Sequence, residues 1–445
     1  MGWVRRTAEL QRELAAIAEV DPRWWLVAGG VALAETRVQP EAYLACDAAP
    51  DADTFMGYRA PHPHDPIADA IARARAARTA VREFDGSLPD QPLAITIAHA
   101  RAASIEPSTL DVVAFAIGDA CLVAELDDPR LATKLAAVLA GATPARWHGA
   151  TPFACISIGD EPIETARHGH RRAWTGHGGP WLGLGRSGNL ALVSTCHLIV
   201  DGYGHARITA RIAELVGNAG NGRVPVAPPL AVVAGGVPLA IAWRELPVPT
   251  PRVIPLAYKL GQILHRHAGR PDARFSPTIQ IPVARGRKDD PMRLRRRVVA
   301  ATTSVRFDGG APEPYAVFEA RLREVFAREA NATGRVSRLL TAARAVPVPL
   351  AWKRRSISAK RPRWLESFAE IIGGRALLSR IAMDAPMPHV CAVSSPSRLA
   401  SLADPIGGCV ITIVDDGARG AITVCGSGFV GTPATVSGFL DELLA

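Results

Sequence analysis

The strongest constraint on this chain is a pattern that occurs twice. Residues 206–215 read A-R-I-T-A-R-I-A-E-L and residues 434–443 read A-T-V-S-G-F-L-D-E-L. Ala206 matches Ala434, Ile208 matches Val436, Thr209 matches Ser437, Ile212 matches Leu440, Glu214 matches Glu442 and Leu215 matches Leu443. In both segments the apolar residues recur at i, i+4 and i+7, the spacing of one helical face. The likeness extends upstream. Trp181–Gly185 and Leu190–Cys196 are apolar runs flanking a turn at Arg186-Ser-Gly-Asn189; Gly408–Val414 and Ala421–Cys425 flank a turn around Asp415-Asp-Gly417. Runs of this length around Gly, Asn and Asp read as hairpins. Each half thus ends in hairpin, loop and helix, as a duplicated chain would.

A chain of 445 residues exceeds one ordinary hydrophobic core. The stretch from Val224 to Ile241 carries Pro225, Pro228, Pro229, Pro238, Gly235 and Gly236 and reads as an extended linker. The expected division is 1–222 for a first lobe, 223–250 for the linker and 251–445 for a second lobe. Helices are expected near 4–19, 65–83, 129–140, 205–217, 252–267, 314–330, 335–346 and 364–380. Strands are expected near 25–33, 92–98, 111–116, 152–158, 275–283, 297–306 and 388–394. Their alternation in both halves predicts two α/β sandwich lobes.

Several classes are disfavoured. Apolar residues at 48% and charged residues at 21% give a folded balance rather than a disordered one. The seven cysteines are scattered and never in C-x-x-C spacing, which suits reduced thiols in a cytoplasmic setting. The opening residues read as an amphipathic helix rather than a signal segment. No run of about 18 residues is apolar throughout, so no transmembrane helix is expected. The formal net charge of +9 is carried mainly by arginine, in clusters such as Arg285–Lys288, Arg293–Arg297, Lys353–Arg355 and Lys360–Arg363. No nucleic-acid-binding motif accompanies it. The basic face suits an anionic small molecule, an acidic carrier protein or, around Trp352 and Trp364, peripheral membrane contact. His168, His170 and His177 lack acidic or cysteine ligands at metal spacing, and no metal is expected.

One segment combines the residue types that acyl chemistry needs: Cys196-His197-Leu-Ile-Val-Asp201-Gly202-Tyr203-Gly204. A neutral imidazole accepts a proton at neutral pH and activates a hydroxyl, amine or thiol for attack on a carbonyl. Asp201, four residues on, either caps the following helix or pairs with an arginine to hold the loop. Gly202 and Gly204 permit close backbone approach. Ser194, Thr195, Tyr203 or backbone N–H groups are candidates to hold an oxyanion. The corresponding second-half segment, from Cys425 to Gly431, has neither His nor Asp.

This segment resembles the H-x-x-x-D-G signature of the chloramphenicol-acetyltransferase-like superfamily, which includes condensation domains, plant-type BAHD acyltransferases and wax ester synthases. The position of the motif just before the midpoint, and a C-terminal hairpin and helix lacking it, fit the same family. The resemblance implies two lobes in a pseudo-twofold arrangement with a tunnel between them. It implies His197 as general base and Asp201 as a structural carboxylate. Ile281-Pro-Val-Ala-Arg285 is similar to the family strand whose arginine pairs with that carboxylate, implying Arg285 or Arg287. Asp404-Pro-Ile-Gly-Gly408 matches only the outer residues of the plant-type D-F-G-W-G motif, implying a structural Asp404. Cys196 stands where two subgroups carry an additional histidine. The implied activity is transfer of an acyl group from a coenzyme A or phosphopantetheinyl carrier thioester to a hydroxyl or amine of a small molecule. No permanently bound cofactor is implied, and the protein is expected to be a monomer. The alternative is a non-acylating protein of the same fold that binds, cyclises or epimerises a carrier-tethered intermediate.

Overall fold

The computed structural model describes residues 53–60, 62–86, 110–149, 152–161, 180, 182–196, 202–217, 230–234, 237–268, 272–284, 298–331, 376–382 and 408–445. The helices expected at 4–19 and 335–346 and the strands expected at 25–33, 92–98 and 388–394 lie outside the described residues.

The first half builds a six-stranded sheet from β1 (Asp53–Arg59), β2 (Val112–Ile117), β3 (Ala120–Glu125), β4 (Ala154–Ser157), β5 (Leu182–Ser187) and β6 (Leu190–Cys196). Its spatial order is β1-β6-β5-β4-β2-β3. Helices α1 (Pro66–Gly86), α2 (Leu131–Leu139) and α3 (Gly202–Leu215) follow β1, β3 and β6. The second half builds a seven-stranded sheet from β7 (Leu230–Ala234), β8 (Val237–Leu246), β9 (Ile279–Ala284), β10 (Val298–Thr303), β13 (Ala376–Ala382), β14 (Cys409–Asp415) and β15 (Gly420–Ser427). A small hairpin, β11 (Phe307–Asp308) with β12 (Ala311–Pro312), stands apart. Helices α4 (Val253–His267), α5 (Tyr315–Ala330) and α6 (Pro433–Leu444) complete it.

The second sheet runs β10-β9-β13-β14-β15-β8-β7. Read from its other edge and without β7, this is the path of the first sheet, with β8, β15, β14, β13, β9 and β10 in the places of β1, β6, β5, β4, β2 and β3. Strand directions agree as well. The pairs β1–β6 and β8–β15 are antiparallel, as are β5–β6 and β14–β15. The pairs β4–β5 and β13–β14 are parallel, as are β2–β4 and β9–β13. The pairs β2–β3 and β9–β10 are antiparallel. Helices follow the equivalent strands in both halves. The repeat visible in the terminal hairpins therefore extends through both sheets.

The stretch expected as a linker supplies two strands. β8 pairs with β15 from Leu239 to Leu246, and β7 adds an edge strand along Val237–Ile241. Pro238 stands one residue beyond the β8–β15 ladder, opposite Val233 of the edge strand, where its missing N–H is tolerated. The end of the helix expected at 364–380 is also a strand: residues 376–382 pair in parallel with β14. Ala and Leu favour helices intrinsically, and sheet pairing overrides that preference here.

In the first core, the alanine row Ala70, Ala74 and Ala77 of α1 and Ile208 and Ile212 of α3 cover Phe115, Ile156, Leu184 and Val193. In the second, Leu256, Leu260 and Ile263 of α4, Phe318 of α5 and Leu440 of α6 cover Leu378, Ile411, Ile413 and Val424. A third cluster joins the halves. Met56, Ala206 and Ala210 meet Ile381, Val414 and Ala421 on the opposite face of the second sheet from its helices.

Two predictions follow from this packing. A Cβ on Gly261, within α4, would lie 2.3 Å from Val305 Cγ2. Gly261→Ala is expected to lower unfolding free energy by about 1–3 kcal/mol despite its better helix propensity. Adding Val305→Ala should recover part of the loss in chemical denaturation. Burial and the neighbouring Cys425 push the Cys409 thiol up to about 12. Because the thiolate is the reactive form, thiol reagents at neutral pH should leave Cys409 intact in the native protein and modify it after denaturation, as read by mass spectrometry.

Candidate functional site

β6 ends at Cys196 and α3 begins at Gly202, so His197–Asp201 bridge a strand end and a helix start. His197, Asp201, Arg285 and Asp404 themselves lie outside the described residues. Arg285 directly follows β9, and Gly202 and Tyr203 are the first two residues of α3.

The flanks of the segment are tightly fixed. Ser194 and Thr195, near the end of β6, have no solvent exposure. Strand alternation puts Thr195 on the face of Ala191 and Val193, which carries the helices, and Ser194 on the other. The Thr195 hydroxyl lies 2.8 Å from Nδ1 of His205 in the first turn of α3. This buried bond ties the last residues of β6 to the first turn of α3, holding both ends of the 197–201 segment. The bond gives the Thr195 hydroxyl a positioning role.

His205 is the residue that sequence reading missed. Its signal was an imidazole four residues after Asp201, at helical spacing with Thr209, in a segment already notable for a histidine.

Helix α3 is held on two further sides. Arg211 donates two hydrogen bonds to the Glu83 carboxylate of α1, at 2.7 and 2.9 Å. The hydrogen bond from Arg211 holds the Glu83 carboxyl below its usual range. On its opposite flank, Ala206 and Ala210 meet Ile381, Val414 and Ala421 of the second sheet. Two alanines one turn apart allow a close approach, so the N-terminal half of α3 is wedged between the two sheets. The segment carrying His197 therefore enters α3 next to the seam between the halves.

The second half offers a direct comparison. β15 ends at Ser427 and α6 begins at Pro433, so five residues intervene in both copies. Thr432 caps α6: its hydroxyl accepts the Thr435 N–H at 3.2 Å, and Thr435 Oγ1 accepts the Thr432 N–H at 3.1 Å. Asp201 occupies the same chain position, immediately before the helix, with a side chain suited to the same task. The second copy has no imidazole in this stretch.

A buried ionic group lies beneath α1. Arg73 donates to Asp69 at 2.8 Å and to the Ser157 carbonyl at 3.0 Å; Arg186 approaches Asp69 at 3.6 Å and donates to the Ala60 carbonyl at 3.2 Å. Burial pushes the adjacent Tyr58 hydroxyl up to about 12. These contacts tie α1 to β1, β4 and β5 and stay within the first lobe.

No protein-family model and no curated protein sequence matches the chain. Solved structures do. The starter condensation domain of rhizomide synthetase RzmA is similar at 10% identity, with 89% of each chain covered and a TM-score of 0.39. The first condensation domain of the CDA synthetase gives 14% identity, 92% of this chain and 93% of that one, and a TM-score of 0.41. The nonribosomal peptide synthetase FmoA3 gives 11% identity and a TM-score of 0.42, with 92% of this chain covering 43% of that one.

Thr195→Val should destabilise the protein by about 1–3 kcal/mol, because it strands a buried nitrogen of His205. Thr195→Ser, which keeps the hydroxyl, should cost less in the same denaturation measurement.

Proposed function

We propose that the chain is an acyltransferase in which His197 is the general base. The observation that carries this reading is the position of the H-x-x-x-D-G segment, strung between β6 and α3 where α3 is clasped by both sheets. A strand end and a helix start at a seam suit a reactive loop: the scaffold is rigid and the connection is short.

The acceptor's hydroxyl or amine hydrogen-bonds the neutral imidazole of His197. As its proton passes to the ring, the oxygen or nitrogen attacks the carbonyl carbon of an acyl thioester. The tetrahedral intermediate collapses, the carbon–sulfur bond breaks, and the thiolate of coenzyme A or of a carrier's phosphopantetheine takes the proton back from the imidazolium. No net redox change occurs. Asp201 is a positioning residue, capping α3 and pairing with Arg285, so that the loop presents His197 in one rotamer. Asp404 and Gly202 are assigned structural roles around it. Ser194 and Thr195 are both without solvent exposure and Thr195 is engaged by His205, so Tyr203 and the backbone N–H groups at the start of α3 are assigned as oxyanion donors; the first amides of a helix have no intrahelical partner. The basic surface favours an anionic thioester or an acidic carrier protein.

The test is thiol release from a panel of acyl-coenzyme A and acyl-carrier donors with alcohols and amines. His197→Ala should lower turnover by roughly two or more orders of magnitude while leaving the unfolding midpoint near wild type. A folded His197→Ala protein with near-normal turnover removes the histidine from the mechanism. A wild-type protein that releases no thiol from any donor overturns acyl transfer itself.

A further inference from the structure

The second lobe carries a groove on the side of its sheet away from the seam. Ile381, Val414 and Ala421 face the seam, while Leu378, Ile411, Ile413 and Ile422 face the helices. By strand alternation Arg380 of β13 and Asp415 of β14 lie on the helix side. There a cavity of about 460 Å³, open to solvent, is lined by Val253, Ile281, Val283, Phe326, Ala327, Ala330 and Arg380. Its wall is apolar except for one guanidinium.

That guanidinium is held in place by a chain of contacts. Gly420 has no side chain, and a Cβ there would lie 2.2 Å from Thr250 Cγ2. The space admits Thr250, whose hydroxyl donates to Asp415 Oδ2 at 3.0 Å. The same oxygen accepts from Arg380 Nε at 2.9 Å. Asp415 is 11% exposed and Arg380 33% exposed. The anchor is thus buried, and the other end of the guanidinium lines the groove. Among the described residues, Arg380 makes no other hydrogen bond. Its two terminal nitrogens form a planar fork that matches a carboxylate. A mostly apolar cavity of this size with one placed polar group has the composition of a small-molecule site.

We infer that this groove binds a small monocarboxylate with an apolar tail, the carboxylate on Arg380 and the tail against Val253, Ile281, Val283 and Phe326. A single carboxylate fits, because the lining offers one guanidinium fork, its Nε side held by Asp415, and, among the described residues, no second cation for a further charge. The site is separate from the His197 segment, with the whole second sheet between the groove and the seam.

Isothermal titration calorimetry of the full chain with octanoate, and with 1-octanol as the uncharged control, tests this. Octanoate should bind about tenfold or more tightly than octanol, the difference expected for a charge-assisted hydrogen bond. Arg380→Met should reduce octanoate to the level of octanol. Ala327→Phe and Ala330→Phe alter exposed helix positions, so both should fold, and both should block octanoate and octanol alike. Absence of octanoate binding, equal affinity for octanoate and octanol, or octanoate binding that survives both Arg380→Met and Ala330→Phe each overturns the assignment. Because the readout is binding of a free acid, it is independent of whether the protein transfers acyl groups.

Discussion

The packing of α3 is the contact on which the rest of the molecule depends. Its inner face closes the first core through Ile208 and Ile212, Arg211 ties it to α1, and Ala206 and Ala210 give it to the second sheet. A helix with a bulky outward face would hold the halves apart. Two alanines a turn apart bring a strand surface against the helix, and dispersion and burial then act across the seam. The Thr195–His205 bond adds direction, because it fixes the end of β6 against the first turn of α3.

The repeated strand path supplies two connections of equal length in equivalent places, and their sequences differ in the chemistry they offer. Both join a strand to a helix through five residues. In one copy the residue before the helix is Thr432 within a capping box. In the other it is Asp201, four residues after His197. The second lobe shows a parallel economy: its helix-side face carries an arginine set among apolar groups, held by residues from β14 and the β8–α4 connection.

Helices with a clear apolar stripe were legible almost to the residue. Those expected at 252–267 and 314–330 appear as Val253–His267 and Tyr315–Ala330. Strands were less so. β1 carries Asp53, Thr54, Gly57 and Arg59 among its apolar residues and offers no sustained run, while the five apolar residues Ala120–Ala124 of β3 are too few for periodicity to tell a strand from a buried helix segment. β7 and β8 were hidden by prolines and glycines that normally punctuate structure. β13 was hidden by Ala-Leu-Leu, which locally favours a helix. In each case the deciding hydrogen bonds come from residues far away in the chain, such as β15 for β8 and β14 for β13. Of the site, the H-x-x-x-D-G spacing was visible at once, whereas the role of Thr195 was not, because its partner His205 becomes a neighbour only when α3 folds back on β6.

The sequence alone determined the elements and the chemistry available: amphipathic helices at 3.6-residue spacing, hairpins around Gly and Asn, and one loop with an imidazole and a carboxylate. These are local properties, set by side-chain type and spacing along a few turns of chain. Only the tertiary structure decided that the two halves share one strand path, that the proline-rich stretch is a paired strand, and that the Asp415–Arg380 pair faces a groove rather than the seam. Those outcomes depend on which distant strand supplies a hydrogen-bonding edge and on which face of a sheet is covered first. No short window of sequence encodes either.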